Sequence, residues 1–116
     1  MTTIAMLAGL LTAPPPWIEE LDSRVARIRT ALERNRWAEA ESEARDLRST
    51  VSAGAATWSE LLENTRQRQL LADLVTHVRD LAGVVEARAQ DAAVYQAGIC
   101  DSLLQELAAA RGDDRP

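Results

Sequence analysis

Hydrophobic positions along this chain recur every three or four residues, a spacing typical of helices that bury one face. The first stripe comprises Ile18, Leu21, Val25, Ile28 and Leu32. It follows three prolines, and Pro16 suits the first position of a helix because its missing N–H would have no partner there. Glu19 and Glu20 fall in the first turn, where negative charge complements the helix dipole. The pattern therefore predicts a helix that begins at Pro16.

This stripe loses its phase within residues 33–39, "ERNRWAE". A second stripe then consists of Trp37, Ala40, Ala44, Leu47 and Val51. Asparagine tolerates the left-handed conformation that closes many helices, so Asn35 suits a tight turn between two helices. One continuous helix whose apolar face rotates would fit the pattern equally well, and the sequence leaves both alternatives open.

Residues 49–60, "STVSAGAATWSE", contain Gly54 among small side chains and predict the next interruption. Thr57 and Glu60 have the spacing of a capping box, which predicts that a new helix begins at Trp58. No proline follows before the C-terminal tail, so helical structure is predicted from Trp58 to Arg111. Gly83 and Gly98 lie inside this stretch, and either could mark a bend or a close contact between helices.

The second half of the chain carries a long apolar stripe, and no useful length of sequence alternates with a period of two. Its members are Leu71, Leu74, Val78, Leu81 and Val85, followed by Ala92, Tyr95, Ile99 and Leu103. Amphipathic helices are stable only when the apolar face is buried, so the chain must fold back on itself. The prediction is an all-α protein, an antiparallel bundle of three or four long helices with coiled-coil-like packing. An N-terminal apolar segment and proline-rich spacer (1–16), the helical bundle (17–111) and a disordered tail (112–116) are the expected parts.

Composition narrows the range of partners. The formal net charge is −5, which opposes binding to nucleic acid and to anionic membranes. Residues 1–16 lack the basic start of a signal peptide and are too short to span a bilayer, so no membrane insertion is expected. Cys100 is the single cysteine, which rules out an internal disulfide and suits a reducing cytoplasm. No metal site, cofactor or enzymatic motif is predicted.

His77, the one histidine of the chain, is the candidate for phosphotransfer chemistry. Histidine phosphotransfer domains are helical bundles with a histidine on a helix. In this family the residues around that histidine resemble the pattern H-x-x-K-G-S. Here Asp80 stands where the cation is expected, and Asp73 lies one turn earlier, so both carboxylates would repel a phosphoryl group. A structural histidine held by Asp73 is favoured, and a phospho-acceptor at His77 is the alternative.

Large apolar residues also suggest two kinds of contact. Trp17, Trp37 and Trp58 stand near predicted helix starts, where indole rings are expected to pack helix junctions more often than to bind partners. Near the C-terminus a broad apolar surface is formed by Tyr95, Ile99, Leu103, Leu104 and Leu107. Such a surface is part of the core more often than it is a binding site, and it could bind a partner only if the N-terminal half is too short to cover it.

Two segments, 31–51 "ALERNRWAEAESEARDLRSTV" and 70–107 "LLADLVTHVRDLAGVVEARAQDAAVYQAGICDSLLQEL", together resemble flagellar export chaperones of the FlgN and FliT kind. The resemblance implies a small cytoplasmic chaperone without enzymatic activity, which binds the C-terminal helical segment of a hook-filament or cap subunit before export. An amphipathic client helix would complete the bundle. The expected client-binding residues are Val85, Tyr95, Ile99, Leu103, Leu104 and Leu107. The competing hypotheses are phosphotransfer through His77 and a self-associating bundle, such as a homodimer, with a structural role.

Overall fold

The computed structural model describes residues 15–113, with the side chains of residues 15–109, and it consists of four α-helices. They are α1 (Pro16–Glu33), α2 (Trp37–Leu61), α3 (Thr65–Glu86) and α4 (Gln90–Asp113). No strand occurs within 15–113, in agreement with the predicted fold class. The predicted apolar segment before Pro15, and the part of the predicted tail after Asp113, lie outside the described residues.

Each helix packs against the next one, and α4 packs against α1, which closes a four-helix bundle. The connections are too short for anything but antiparallel neighbours. At one end, Nε2 of Gln90 donates to the carbonyl oxygen of Leu32 at 3.4 Å. At the other end, Ile18 near the start of α1 lies beside Leu104 and Ala108 of α4. The antiparallel all-α bundle is therefore confirmed, with four helices.

The apolar stripes of α1 and α2 form one wall of the core. All members of the first predicted stripe are buried, and the second is buried except for Trp37, which is half-buried. On α3 the predicted positions Leu71, Leu74, Val78, Leu81 and Val85 are all buried. The core is therefore built from aliphatic side chains, as the absence of phenylalanine requires.

The turn after α1 confirms a helix break at Asn35. Asn35 has φ 55°, the left-handed conformation that asparagine tolerates better than most residues. The N–H of Arg36 donates to the carbonyl of Ala31 at 2.8 Å, and the N–H of Asn35 donates to that of Leu32 at 3.2 Å. These two bonds form a Schellman motif, which satisfies carbonyls at the end of α1.

The predicted helix start at Trp58 is wrong, because α2 continues through it to Leu61 and α3 begins at Thr65. The cap is Asn64, whose Oδ1 accepts a hydrogen bond from the N–H of Gln67 at 2.8 Å. Oε1 of Gln67 in turn accepts from the N–H of Glu63 at 3.2 Å. Asn64 and Gln67 have the same three-residue spacing as Thr57 and Glu60, so two candidate caps competed in the sequence.

Gly54 does not interrupt α2, and a close aromatic contact explains why the position is glycine. The indole of Trp58, one turn further along, occupies the space that a Cβ at position 54 would need. Trp58 stacks on Trp17 of α1 with ring centroids 4.7 Å apart and the planes 6° from parallel. The two rings join the start of α1 to the end of α2, the structural role expected for them.

The helical structure predicted from Trp58 to Arg111 is also interrupted at a second place, residues 87–89. Arg88 has φ 55°, and the N–H of Ala89 donates to the carbonyl of Val84 at 3.0 Å. The N–H of Arg88 donates to the carbonyl of Val85 at 3.0 Å, which completes a second Schellman motif. Gly83 and Gly98 both lie within helices, so neither marks the break.

This turn resets the phase of the apolar stripe on α4. The predicted continuation through Ala92, Tyr95, Ile99 and Leu103 is therefore not the core face. The residues that α4 buries are Ala93, Ala97, Cys100, Leu104 and Leu107. The predicted stripe instead lies mainly on the part of α4 that faces away from the bundle.

Candidate partner-binding surface

Helix α4 is apolar on two faces, and the bundle covers only one of them. Facing away from the bundle is a shallow groove lined by Val94, Tyr95, Gly98, Ile99, Ser102, Leu103 and Glu106. We call these seven residues the outer α4 surface. Tyr95 is 66% exposed and Val94 is 49% exposed. A helix with apolar residues around most of its circumference is normally covered on all sides, so this surface is suited to a partner.

The six residues predicted to bind a client divide between the two faces. Tyr95, Ile99 and Leu103 line the outer α4 surface, and Leu103 lies at its edge, because it is half-buried and also packs against the core. Val85, Leu104 and Leu107 are instead core residues, each no more than 1% exposed, so the prediction of a partner contact at these three positions is wrong. The turn at Arg88 separates Val85, on α3, from the other five residues. On α4 itself, Leu104 and Leu107 belong to the buried stripe, whereas Tyr95, Ile99 and Leu103 lie outside it.

Sequence reasoning missed Val94, Gly98, Ser102 and Glu106 as members of this surface. The signal that could have found them is the spacing of Ala93, Ala97, Cys100, Leu104 and Leu107, which is the helical three/four pattern in small and apolar residues. If that stripe faces the core, the residues on the opposite side of the helix include Gly98 and Ser102. The predicted stripe followed the large side chains Tyr95, Ile99 and Leu103, whereas the core stripe begins with the small residues Ala93 and Ala97.

Gly98 gives the outer α4 surface its shallow centre. A Cβ at this position would meet no atom within 4 Å, so no contact inside the protein requires glycine here. Glycine in a helix interior costs about 1 kcal/mol relative to alanine. The same is true of Gly83 on α3, which also faces open space but lines none of the described grooves on α4.

The charged side chains of α4 between Gln90 and Ala109 are all acidic. They are Asp91, Asp101 and Glu106. Asp91 and Glu106 are exposed, and Glu106 lies at the edge of the outer α4 surface. The apolar groove is thus bordered by negative charge, which favours a partner that carries positive charge beside its apolar stripe.

The border between α1 and α4 also carries a carboxyl pair. Nη1 of Arg29 and Nε2 of Gln105 both donate to Oδ2 of Asp101, at 3.2 and 2.9 Å. Partial burial raises the pKa of the Asp22 carboxyl, and the charge of Asp101 and a hydrogen bond between the two groups raise it further. Because Asp101 forms an ion pair with Arg29, the carboxyl pair adds little net charge to this side of α4.

His77 joins α3 to α4. Its side chain is half-buried, and Nδ1 lies 2.9 Å from Oε1 of Gln96 on α4, a hydrogen bond in which the ring N–H donates to the amide oxygen. The expected partner Asp73 accepts instead from Nε2 of Gln69 at 3.0 Å. The prediction that Asp73 holds His77 is therefore wrong, and the ring is held by the neighbouring helix.

Cys100 lies in the core on the inner side of α4 and is fully buried. Burial raises the pKa of its thiol to about 12, and the negative charge of Asp80 adds to the shift. Because the thiolate is the reactive form, Cys100 is a packing residue that resists modification.

Two kinds of feature are absent from the described part of the chain, a membrane-spanning helix and a cluster of metal-binding side chains. None of its helices is long and apolar enough to cross a membrane. Nor do these residues contain a group of three or more histidine, cysteine, aspartate or glutamate side chains placed to hold a metal ion.

Comparisons with protein families, with curated proteins and with solved structures find no match for this chain.

Proposed function

We propose that this bundle is a binding protein without catalytic activity, which holds an amphipathic helix of a protein partner against the outer α4 surface. The observation that carries the proposal is the second apolar face of α4. Three large hydrophobic residues are exposed among residues 15–109, and two of them, Val94 and Tyr95, are on this face. Burial of apolar area is the main favourable term in association, and aromatic side chains often supply much of it.

The shape of the surface selects a helix as its partner. The groove extends along α4 from Val94 to Glu106, about three and a half helical turns or roughly 18 Å. A partner helix of about 12 to 14 residues has a matching length. Its apolar residues would follow the i, i+3, i+4, i+7 pattern that helices use when they bind grooves.

The charge of the surface selects the flanks of that helix. Arg or Lys beside its apolar stripe would approach Asp91 and Glu106, which raises the association rate and fixes the orientation of the helix. An acidic helix would be repelled by the same groups. A second copy of this chain is disfavoured for the same reason, because its α4 carries only acidic charges between Gln90 and Ala109.

A narrower version of the proposal follows from the resemblance to flagellar export chaperones. The client would then be the C-terminal helical segment of a hook-filament or cap subunit, held until export. The all-helical fold and an apolar face free to receive a helix are consistent with this version. The sequence of the captured helix decides whether the client is a flagellar subunit.

The test is a photoreactive amino acid placed at Ser102, at the centre of the outer α4 surface, with capture from an extract of the native cell. We expect a cross-linked partner whose attached peptide, mapped by mass spectrometry, is an amphipathic helix with basic flanks. A peptide from a hook-filament or cap subunit would support the flagellar version. A peptide with no amphipathic pattern, or no partner at all, would overturn the proposal.

The matched control is the same photoreactive residue at Ser42. Ser42 is exposed on α2, the helix diagonally opposite α4. Abundant proteins that collide with the bundle will label both positions, whereas a partner of the outer α4 surface labels position 102 alone. Equal labelling at 42 and 102 would contradict a specific site.

A further inference from the structure

The chain enters α1 at the end of the bundle where the last described turns of α4 lie. Residue 15 is followed at once by α1, whose first turns lie beside the last described turns of α4. Ile18, Glu19 and Asp22 of α1 line a groove together with Leu104, Gln105 and Ala108 of α4. Residues 1–14 are therefore joined to the bundle next to the C-terminal end of the outer α4 surface.

The length of the segment is sufficient to cover that surface. The distance along α4 from Ala108 to Val94 is about 21 Å, since a helix rises about 1.5 Å per residue. Fourteen residues extend to at most about 50 Å, which is more than twice that distance. These residues include the apolar run "IAMLAGLL" at 4–11.

The composition of the segment matches the surface better than a second copy of the chain does. Residues 1–14 contain no charged side chain, so they bring no negative charge to Asp91 and Glu106. Two copies packed through their outer α4 surfaces would bring these acidic groups together. The tether also gives the segment an effective concentration near the millimolar range, which a second copy reaches only in concentrated solution.

We infer that residues 4–11 bind the outer α4 surface of the same molecule when no partner is present, and that a partner helix displaces them. This inference rests on the proposed function for the displacement step. The segment contributes apolar contacts only, whereas a partner with basic flanks adds ion pairs with Asp91 and Glu106. The partner helix therefore binds the outer α4 surface more tightly than the segment does. Until a partner helix binds, the segment covers this surface.

The first test uses the purified full chain with the photoreactive residue at Ser102. We expect an intramolecular cross-link to the N-terminal tryptic peptide that ends at Arg24, with the linked atoms within residues 4–11. The control position is Ser52, which is exposed on α2 near the same end of the bundle. A covalent dimer linked through position 102 would assign the surface to a second copy, and absence of a cross-link to residues 4–11 would overturn the inference.

The second test measures competition, with a synthetic helical peptide of leucine and lysine as the probe. The double substitution Leu7→Glu and Leu10→Glu is expected to tighten peptide binding about tenfold, if the segment covers the surface in about nine molecules of ten. Thr2→Glu and Thr3→Glu add the same charge outside residues 4–11 and are expected to change affinity less than about twofold. Equal affinity of both double variants would contradict displacement.

The two proposals fail separately. A cross-link from position 102 to residues 4–11 without any peptide binding, even after the leucine substitutions, would retain the intramolecular contact and reject the partner site. Peptide binding to the outer α4 surface without such a cross-link would retain the partner site and reject the intramolecular contact.

Discussion

At the scale of single residues, Gly54 shows how a side chain can determine the identity of a residue one turn away. The Trp58 ring lies where a Cβ at position 54 would be, and the ring is held there by its stack on Trp17. We expect Gly54→Ala to destabilise the protein by about 1 to 2 kcal/mol, because overpacking outweighs the gain in helix propensity. Urea unfolding followed by circular dichroism measures this difference.

The control for Gly54 is the same substitution in a Trp58→Leu background. With the indole removed, Gly54→Ala is expected to stabilise by up to about 1 kcal/mol, because only the helix propensity of alanine remains. A destabilisation of equal size in both backgrounds would show that the indole is not the reason for glycine at this position.

Cys100 gives a prediction about pH. Its pKa in the folded protein is raised to about 12, above the value of an unfolded cysteine. A raised pKa means that the folded state holds the proton more tightly, so this contribution to stability is complete below the unfolded pKa and is lost as the pH rises through about 9 to 12. We expect slow alkylation of the native thiol at pH 8 and fast alkylation in urea. Equal rates in both conditions would contradict its burial.

At the scale of helices and turns, Arg88 occupies a conformation that costs a residue with a Cβ about 1 to 2 kcal/mol. Its ion pair with Glu41, at 3.6 Å between Nε and Oε1, is largely exposed and contributes little. We therefore expect Arg88→Gly to stabilise the bundle by about 1 kcal/mol in urea unfolding.

Arg88→Ala separates these two effects, because it removes the ion pair and keeps the Cβ. We expect it to change the free energy of unfolding by less than about 0.5 kcal/mol. If glycine and alanine at position 88 gave the same stability, the left-handed conformation would not be the source of the gain.

The turns explain how far the sequence could predict the fold. Asn35 is a residue type that commonly ends helices, so the first turn could be anticipated. The second turn offered two similar capping patterns, and Gly54 favoured the wrong one. Arg88 carries no turn signal of its own, since arginine has no local preference for the left-handed conformation that it adopts here.

The prediction of the candidate site was also affected, because the sequence did not reveal the third turn. Apolar spacing correctly gave α1, most of α2 and the core face of α3, because those stripes contain large aliphatic residues. On α4 the core face includes Ala93 and Ala97, small residues that attract little attention, whereas Tyr95 is large and exposed. Half of the predicted contact residues were therefore assigned to the wrong face.

At the scale of the whole molecule, the bundle is closed and still leaves α4 apolar on its outer side. Gly98 and Gly83 allow stability and binding to be separated, because alanine at either position meets open space. We expect both Gly→Ala variants to stabilise the protein by up to about 1 kcal/mol. Only Gly98→Ala is expected to weaken binding of the leucine and lysine peptide, by about tenfold, because its methyl group fills the centre of the groove.

Both variants are expected to fold equally well, so a loss of binding in Gly98→Ala cannot be attributed to unfolding. Fluorescence anisotropy of the labelled peptide measures the affinity of each variant. Equal peptide affinity for both would contradict the assignment of Gly98 to the partner surface.

A titration of that labelled peptide with Tyr95→Glu tests directly whether the outer α4 surface binds a helix. Tyr95 is 66% exposed, so its substitution leaves the core intact while it places a charge on the apolar part of the outer α4 surface. Thr57→Glu adds the same charge at an exposed position on α2. We expect Tyr95→Glu to weaken peptide binding about tenfold or more. We expect Thr57→Glu to change the peptide affinity by less than about twofold. If both variants bound the peptide as tightly as the unmodified protein does, the outer α4 surface would not be the binding site.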